Sequence, residues 1–423
     1  MVFATDESLE RILREIKNPE NLNDVRAFLE EKRANGARLS TLVNHANHLR
    51  HWGVFLGARG FRDATKEDVR RFINQRGGRV RVRPRGKDIG RPDKIVYVSE
   101  TTMNIRKVLL RAFQKWLRGL EKDDPYPPEV AWLKQTRRPD DDTMLEEVIT
   151  REELLQLIEA QDNAQHKALF AVLYDSGMRA GEILSLRIRD ITIDEYGAVL
   201  TLPKGAQGLK TGARRVRVIH CTPYLVRWMN EHPRKSQPNH HLWVAMGRSN
   251  LLGTLNNNTL YALLQRSARK AGFTDDRHLH PHLFRHSRAT EAVKEGMRES
   301  EMRLFFGWSR NSDMPSRYIH LAGADVEEGI LRRAGVLKDA KHQPALEARK
   351  CVCGNQNMAT AEYCEAAGCN RPLTPKAVEK REQTVFRAML DKMDEETLRA
   401  IAEKVIPQAL DKAREKKGTE ERQ

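Results

Sequence analysis

The chain has 423 residues and carries 74 Lys and Arg against 58 Asp and Glu, a net charge of +16 at pH 7. Its length predicts two or three domains. No apolar run approaches the roughly 20 residues of a membrane span, and the N-terminus lacks a signal peptide, so we expect a cytoplasmic protein with no membrane partner. The basic excess favours a polyanion such as DNA, because each cation at a phosphate releases counterions; a merely basic surface is the alternative.

The first 130 residues carry apolar side chains at helical spacing. The segments with this spacing are 23–35, 40–56, 66–75 and 102–118. In the last segment we expect one stripe to face the core, formed by Ile105, Val108, Leu109, Ala112 and Trp116. The sequence therefore predicts a helical N-terminal domain.

A basic segment lies between the third and fourth of these helices. Residues 77–94 read "GGRVRVRPRGKDIGRPDK", with seven basic residues against two acidic ones. The Gly and Pro content predicts a long loop or ribbon. A solvated charge run is one interpretation, and a contact with the DNA backbone is the other.

A second domain is expected after residue 145. Residues 119–142, rich in Pro and charge, predict an interdomain linker. Thr150, with Glu153 three residues on, forms a capping box that starts a helix, and Gly177 fits the C-terminal cap of a later helix.

The middle of this domain contains a predicted hairpin. Residues 196–203, "YGAVLTLP", and 214–219, "RRVRVI", alternate like two strands separated by a turn rich in Gly and Lys. From Thr259 onward the spacing is mostly helical again. The domain is therefore expected to be mainly α with a small antiparallel sheet.

The stretch 278–290, "HLHPHLFRHSRAT", packs four histidines and two arginines into thirteen residues. A metal site is one interpretation, but a permanently charged guanidinium is a poor neighbour for a cation. His282 and Arg285 are three residues apart, so on a helix they share a face and can grip one phosphate. We therefore expect an anion site.

Three further motifs accompany this one. Arg179 lies in "SGMRAGEIL", Lys210 in "GLKTGARR", and Trp308 and Tyr318 in "FFGWSRNSDMPSRYIHL". Each motif is weak evidence by itself. Their order and spacing along residues 150–325 are specific.

In that order and spacing the chain resembles the tyrosine recombinase/integrase family of site-specific DNA recombinases, especially archaeal integrases. The family pattern is an Arg in a G-x-R-x-x-E turn, a hairpin Lys, H-x-x-R-H, and G-[HW] followed nine or ten residues later by the nucleophilic Tyr. The resemblance implies a site-specific DNA recombinase or integrase that cleaves and rejoins DNA strands through a 3′-phosphotyrosyl intermediate. The cysteine-bearing tail favours a mobile-element integrase over chromosome or plasmid resolution. A non-cleaving DNA-binding protein on the same fold and a type IB topoisomerase-like relaxing enzyme are the alternatives.

The chemistry of strand cleavage gives each predicted catalytic residue a role. Tyr318 attacks the scissile phosphate, and Arg179 and Arg285 clamp its non-bridging oxygens. Lys210 is the predicted acid for the leaving oxygen, although Lys204 lies in the same turn.

The remaining two predicted catalytic residues support the phosphate. His282 either takes the tyrosine proton or holds the phosphate, and Trp308 donates a hydrogen bond and packs. Two guanidiniums supply the charge, so no cofactor is expected for the chemistry.

Simpler interpretations remain open for single residues. Arg179 can pair with Glu182 without any ligand. His280 is expected to be structural, and His286 to be a hydrogen-bonding partner behind the site. Tyr318 can be an ordinary core residue.

Four of the five cysteines, Cys351, Cys353, Cys364 and Cys369, lie within nineteen residues. Two pairs of thiolates suit tetrahedral Zn²⁺ in a small ribbon. The C-x-C and C-x-x-x-x-C spacings depart from the usual knuckle, and free cysteines are the alternative. Cys221 is expected to be a small buried residue.

The resemblance and the patterns together predict four regions. Residues 1–130 form a helical, SAM-like core-binding domain, 145–335 a tyrosine recombinase catalytic domain of the DNA breaking-rejoining fold, 348–375 a zinc ribbon, and 376–423 a charged helical tail. The expected partner is double-stranded DNA in the nucleoid. The resemblance implies a homotetramer on paired sites, with a monomer or dimer off DNA.

Overall fold

The structure is a computed structural model of the whole chain. It describes residues 5–76, 79–82, 94–97, 99–135, 148–202, 213–246, 251–274, 278–321, 330–331, 334, 336 and 346–394. The chain divides into two compact units, Met1–Asp141 and Asp142–Gln423. Across the described ranges, every helix is too short or too polar to cross a membrane.

The first unit is helical, apart from one strand pair. Its helices are α1 (Asp6–Leu13), α2 (Pro19–Ala34), α3 (Leu39–Leu56), α4 (Lys66–Arg71), α5 (Glu100–Leu117) and α6 (Pro128–Ala131). A π-helical turn, Phe72–Arg76, extends α4. Phe28 and Phe61 each meet Phe113 edge-on, with ring centroids 5.2 Å apart, at the centre of the core.

Two predictions for this unit need correction. On α5, Leu109 is buried and Trp116 packs against the core as predicted, but Ile105 and Val108 are 42% and 43% exposed. The buried face continues through Leu110 and Phe113. Apolar residues at 105, 108 and 112 also satisfy the 3.6-residue period, so spacing alone could not choose the face that packs. The predicted linker is partly folded, because Leu133, just after α6, is 1% exposed in the core of this unit.

The predicted basic ribbon is confirmed where it is described. Strands β1 (Arg79–Val82) and β2 (Lys94–Tyr97) pair antiparallel, with Val82 opposite Lys94. The tip, residues 83–93, lies outside the described residues. Contact between this ribbon and DNA remains a prediction.

The second unit surrounds one buried helix. Its helices are α7 (Arg151–Glu159), α8 (Ala164–Ser176), α9 (Ala180–Ser185), α10 (Thr222–Glu231), α11 (Asn257–Lys270), α12 (Pro281–Lys294), α13 (Glu299–Phe306), α14 (Met314–Leu321) and α15 (Pro375–Leu390). Residues 168–176 of α8 are all buried, so α8 is the central helix. The predicted capping box at Thr150 and the left-handed cap at Gly177, with φ of 55°, are both confirmed.

A three-stranded antiparallel sheet covers one side of this unit. It is formed by β3 (Ile191–Asp194), β4 (Gly197–Leu202) and β5 (Arg214–Val218). The two predicted strands are β4 and β5, and β3 was not predicted. The fold class, mainly α with a small antiparallel sheet, is confirmed.

A short strand pair follows the helical part of this unit. It consists of β6 (Arg349–Lys350) and β7 (Gln356–Asn357). Cys221, at the start of α10, is fully buried as predicted. Its backbone N–H donates to Asp175 at 2.9 Å.

Candidate active site

Arg179 lies in the turn between α8 and α9 and is held by Glu182. The Arg179 guanidinium donates to Glu182 at 2.9 Å, and the Arg179 backbone N–H donates to the other oxygen at 2.9 Å. A second Arg179 nitrogen lies 3.4 Å from the Gly307 carbonyl. The predicted Arg179–Glu182 pair is present, and it leaves the arginine side chain 22% exposed.

A second arginine, which the sequence motifs did not single out, binds the same carboxylate. Arg214 on β5 donates two bonds to Glu182, at 2.9 and 2.8 Å, in a fork. Glu182 is fully buried, which by itself raises the pKa of a carboxyl. The bonds from Arg214 and Arg179 outweigh this and hold the pKa of Glu182 below its ordinary value.

Arg285 on α12 connects two helix ends. Its guanidinium donates to the Gly177 carbonyl at 2.8 Å and to the Phe306 carbonyl at 2.6 Å. The residue is 5% exposed. Burial, followed by the nearby charge of Arg179, lowers the pKa of Arg285 to about 9, so it stays a cation at neutral pH.

The histidines of α12 separate into distinct positions. His280 caps the helix and accepts from the Leu283 N–H at 3.2 Å, which confirms its structural role. His282 is exposed. His286 is hydrogen-bonded through Nδ1 to the Tyr318 hydroxyl. Burial, then the nearby His282 and His280, lower the pKa of His286 to about 4, so the ring is neutral at pH 7.

Tyr318 on α14 and Trp308 stack on each other. Their ring centroids are 5.7 Å apart and the planes differ by 13°. The Arg285 guanidinium carbon lies 5.5 Å from the Trp308 ring centroid. Tyr318 is only 2% exposed, and burial raises its pKa to about 12. The tyrosine therefore lies next to the arginine cluster but is closed off from solvent.

Lys210 and its alternative Lys204 lie outside the described residues. The described sheet still constrains where their segment begins and ends. The chain leaves it at Leu202 and returns at Ala213, and Leu202 pairs with Arg214.

The arrangement is suited to binding an anion beside a nucleophile. Three guanidiniums (Arg179, Arg214 and Arg285) and one carboxylate (Glu182) give a net charge of +2. A guanidinium fork matches the oxygens of a phosphate. Sequence reasoning placed Arg179, Arg285, Trp308 and Tyr318 in one site, and the structure brings these four together.

The four clustered cysteines also come together. Their sulfur atoms all lie within 4.8 Å of one another, with Cys351 and Cys369 3.7 Å apart and Cys353 and Cys364 3.5 Å apart. Four thiolates around one Zn²⁺ at about 2.3 Å would be separated by about 3.8 Å. The irregular spacing therefore does not prevent a four-sulfur metal site, and the cluster can bind a metal.

This cysteine segment packs on the rest of the second unit. Leu346, Met358 and Ala361 are buried in the same core as α8 and the sheet. The Tyr224 hydroxyl on α10 accepts from the Thr360 N–H at 3.3 Å. The segment is thus continuous with the core of this unit.

Comparison with known proteins adds independent information. Residues 147–324 match the phage integrase family. The chain is 26% identical over 299 residues to tyrosine recombinase XerC of Bacillus subtilis, covering 67% of this chain and 86% of that protein. It is 30% identical over 166 residues to tyrosine recombinase XerA of Pyrococcus furiosus, covering 39% of this chain and 54% of that protein.

Solved structures give the same fold. The XerH site-specific recombinase bound to palindromic difH substrate superposes with a TM-score of 0.51 and 17% identity. The match covers 77% of this chain and 95% of that chain. At this identity the likeness indicates a shared fold.

Gly177, the left-handed glycine at the end of α8, leads to a prediction about the stability of the protein. A Cβ added at Gly177 would lie 2.6 Å from Phe306, whose carbonyl binds Arg285. We expect Gly177→Ala to destabilise the protein by about 3 kcal/mol, from backbone strain plus overpacking. The measurement is urea unfolding.

The matched control is Gly296→Ala. Gly296 also has a positive φ, of 80°, but its added Cβ would have no atom within 4 Å. We expect only the backbone cost there, about 1 kcal/mol. Equal losses for the two variants would contradict a specific packing role for Gly177.

Proposed function

We propose, from the match of residues 147–324 to the phage integrase family, that the chain is a tyrosine recombinase whose own residues cut and rejoin DNA. It is a site-specific DNA recombinase that works through a 3′-phosphotyrosyl intermediate. The observation that carries the residue assignments is the cluster in which Tyr318 and Trp308 lie beside buried Arg285.

We assign the nucleophile to Tyr318 and the phosphate clamp to Arg179 and Arg285. The Tyr318 oxygen attacks the scissile phosphorus, the bond from phosphorus to the 5′ oxygen breaks, and the diester energy is kept in the phosphotyrosine. Attack by the freed 5′ oxygen reverses the step and releases the tyrosine. Each arginine would stabilise the transition state by on the order of 3 kcal/mol.

We assign to His286 the role of accepting the Tyr318 proton, because His286 is the histidine hydrogen-bonded to the Tyr318 hydroxyl. A neutral imidazole can accept the phenol proton as the new bond forms. His282 is exposed, which favours the phosphate-holding role among its two predicted roles. Trp308 supports the phosphate by packing against Tyr318 and donating from its indole N–H.

Lys210 remains the proposed acid for the departing 5′ oxygen, with Lys204 as the alternative. Support comes from the sheet, where the strands that flank their turn end at Leu202 and Arg214, and Arg214 is part of the arginine cluster. The proposed chemistry uses no metal, because the arginines supply the positive charge.

The burial of Tyr318 implies a movement before cleavage. A hydroxyl on a residue that is 2% exposed cannot reach a DNA phosphate without displacement of the groups that cover it. We propose that DNA binding shifts α14 or its neighbours. The free-energy cost of this shift would limit cleavage of DNA that is bound only transiently.

Double-stranded DNA is the partner of this recombinase, and its assembly is proposed. We propose four protomers on two paired sites, with the helical N-terminal region and the catalytic region both contacting DNA. The basic strands β1 and β2 would contact the backbone. The proposed regions are 1–130 and 145–335, followed by a ribbon at 348–375 and a helical tail at 376–423.

We propose that Cys351, Cys353, Cys364 and Cys369 bind structural Zn²⁺. Four sulfur ligands and a closed tetrahedral set favour zinc over harder cations. A bound metal would fix two short loops that otherwise have few apolar contacts.

The first prediction from the proposed function concerns the nucleophile. We expect a pool of nicked suicide duplexes from the host genome to yield a covalent protein–DNA adduct whose peptide contains Tyr318. Tyr318→Phe should abolish the adduct because the attacking oxygen is gone, while Tyr196→Phe, at a tyrosine that is 68% exposed, should retain it. Denaturing gels and peptide mass spectrometry are the measurement.

The same experiment separates the alternatives. Tight DNA binding with no adduct on any duplex would favour the non-cleaving DNA-binding protein. Relaxation of any supercoiled plasmid by a monomer, without recombinant product, would favour the topoisomerase-like enzyme.

The second prediction concerns the proton of Tyr318. We expect His286→Gln to slow adduct formation by about 100-fold, the usual effect of losing a general base, with little change in DNA binding. In the unsubstituted enzyme the rate should fall as pH drops towards about 4, where His286 becomes protonated. Rapid-quench kinetics between pH 3.5 and 8 measure both.

The control is His166→Gln. His166 is also buried with its pKa lowered to about 4, but it lies about 16 Å along α8 from Gly177 by helix rise. An equal slowing in both variants would assign the effect to stability rather than to proton transfer.

The third prediction concerns the metal. We expect one zinc per chain by elemental analysis, and loss of zinc with a lower melting temperature in Cys364→Ser. The melting temperature should fall because the ribbon packs into the shared core. Cys221→Ala, at the one cysteine outside the cluster, should keep its zinc. Reaction of all four clustered thiols with a thiol reagent in the native protein would instead show free cysteines.

A further inference from the structure

Glu182 accepts an unusual number of donors for a single carboxylate. One oxygen accepts from the Arg179 and Arg214 guanidiniums, each at 2.9 Å. The other accepts from the Arg179 backbone N–H at 2.9 Å and from Arg214 at 2.8 Å. The carboxylate is fully buried, so these bonds take the place of water.

Only one of the two arginines is open to a ligand. The side chain of Arg179 is 22% exposed, whereas that of Arg214 is 8% exposed. Both terminal nitrogens of Arg214 donate to Glu182, at 2.9 and 2.8 Å. It therefore differs from Arg179, which still has donors directed away from the carboxylate.

The charge count explains why a second arginine is needed. If Arg179 were the only cation at Glu182, the pair would be neutral, and the carboxylate would repel a phosphate that approached Arg179. With Arg214 present the three groups carry a net charge of +1. A buried carboxylate can then hold Arg179 in place without cancelling its attraction for the phosphate.

Resting on the proposed function, we propose that Arg214 is a positioning residue: it neutralises Glu182 so that Glu182 can hold Arg179 while Arg179 binds the scissile phosphate. Arg214 does not touch the DNA. It also ties the first residue of β5, which follows the turn that contains Lys210, to the same carboxylate. One buried carboxylate thus fixes a phosphate ligand and the strand beside the proposed acid.

The same strand offers a matched control. Arg217 on β5 also forms two bonds to one carboxylate, with Asp194 at 2.6 and 2.7 Å. Those two side chains are 42% and 36% exposed and lie outside the arginine cluster. Loss of this surface pair is expected to have little effect.

The test compares Arg214→Gln, Arg217→Gln, Glu182→Gln and the double variant E182Q/R214Q. The substrate is the suicide duplex that the unsubstituted enzyme cleaves best. We expect R214Q to form the covalent adduct about 100-fold more slowly, with DNA affinity changed less than about threefold. R217Q should cleave at the unsubstituted rate.

The double variant separates charge neutralisation from a general structural role. With no carboxylate charge left to neutralise, E182Q/R214Q should cleave at least tenfold faster than R214Q. If Arg214 only supported the fold, the melting temperature would fall in R214Q and recover in the double variant in step with cleavage, whereas charge neutralisation changes the cleavage rate of protein that is folded in both variants. Cleavage by R214Q at the unsubstituted rate, or a double variant no faster than R214Q, would overturn the proposal.

Two further measurements keep the test decisive. Melting temperatures identify any variant that does not fold, and if R214Q is one, Arg214→Lys replaces it. The lysine keeps the charge that neutralises Glu182 but loses the fork, so we expect cleavage to slow by no more than about tenfold, and a 100-fold loss in a folded R214K would overturn the proposal. If the unsubstituted enzyme forms no adduct on any duplex, the proposed function fails, which differs from a failure confined to Arg214.

Discussion

The site depends on burying guanidinium groups without pairing each of them to an acid. Arg285 is almost fully buried, yet it donates hydrogen bonds to two backbone carbonyls, those of Gly177 and Phe306. Both carbonyls lie at helix C-termini, where the aligned peptide dipoles carry partial negative charge. Partial charges satisfy the donors of Arg285 without cancelling its full positive charge.

Two left-handed glycines make these helix ends available. Gly177 ends α8 and Gly307 ends α13, with φ of 55° and 61°. Each glycine turns the chain sharply, so that carbonyls near the helix end face the arginines instead of continuing the helix. The C-terminal caps of two helices, rather than a cluster of acids, therefore hold the arginine side chains.

Glu182 is the one acid in this cluster, and its charge is shared by Arg179 and Arg214. The cluster keeps a net positive charge, which is the electrostatic condition for binding a phosphodiester and for stabilising the added negative charge of its transition state. Next to it, Tyr318 is buried with its pKa raised to about 12. The structure thus combines a preorganised cluster of positive charge with a buried tyrosine beside it.

Local sequence patterns predicted most of the clustered site residues and the order of the elements. Arg179, Arg285, Trp308 and Tyr318 were identified by type and spacing, as were β4, β5, the cap at Gly177 and the four cysteines, because these features are local. Tertiary structure decided what depends on distant neighbours. It chose the buried face of α5, folded Leu133 of the predicted linker into the first core, and put His286 rather than His282 at the tyrosine hydroxyl. It also brought Arg214 to Glu182, 32 residues away. Helical period and motif spacing fix which residues share a face, but packing between elements decides what that face meets.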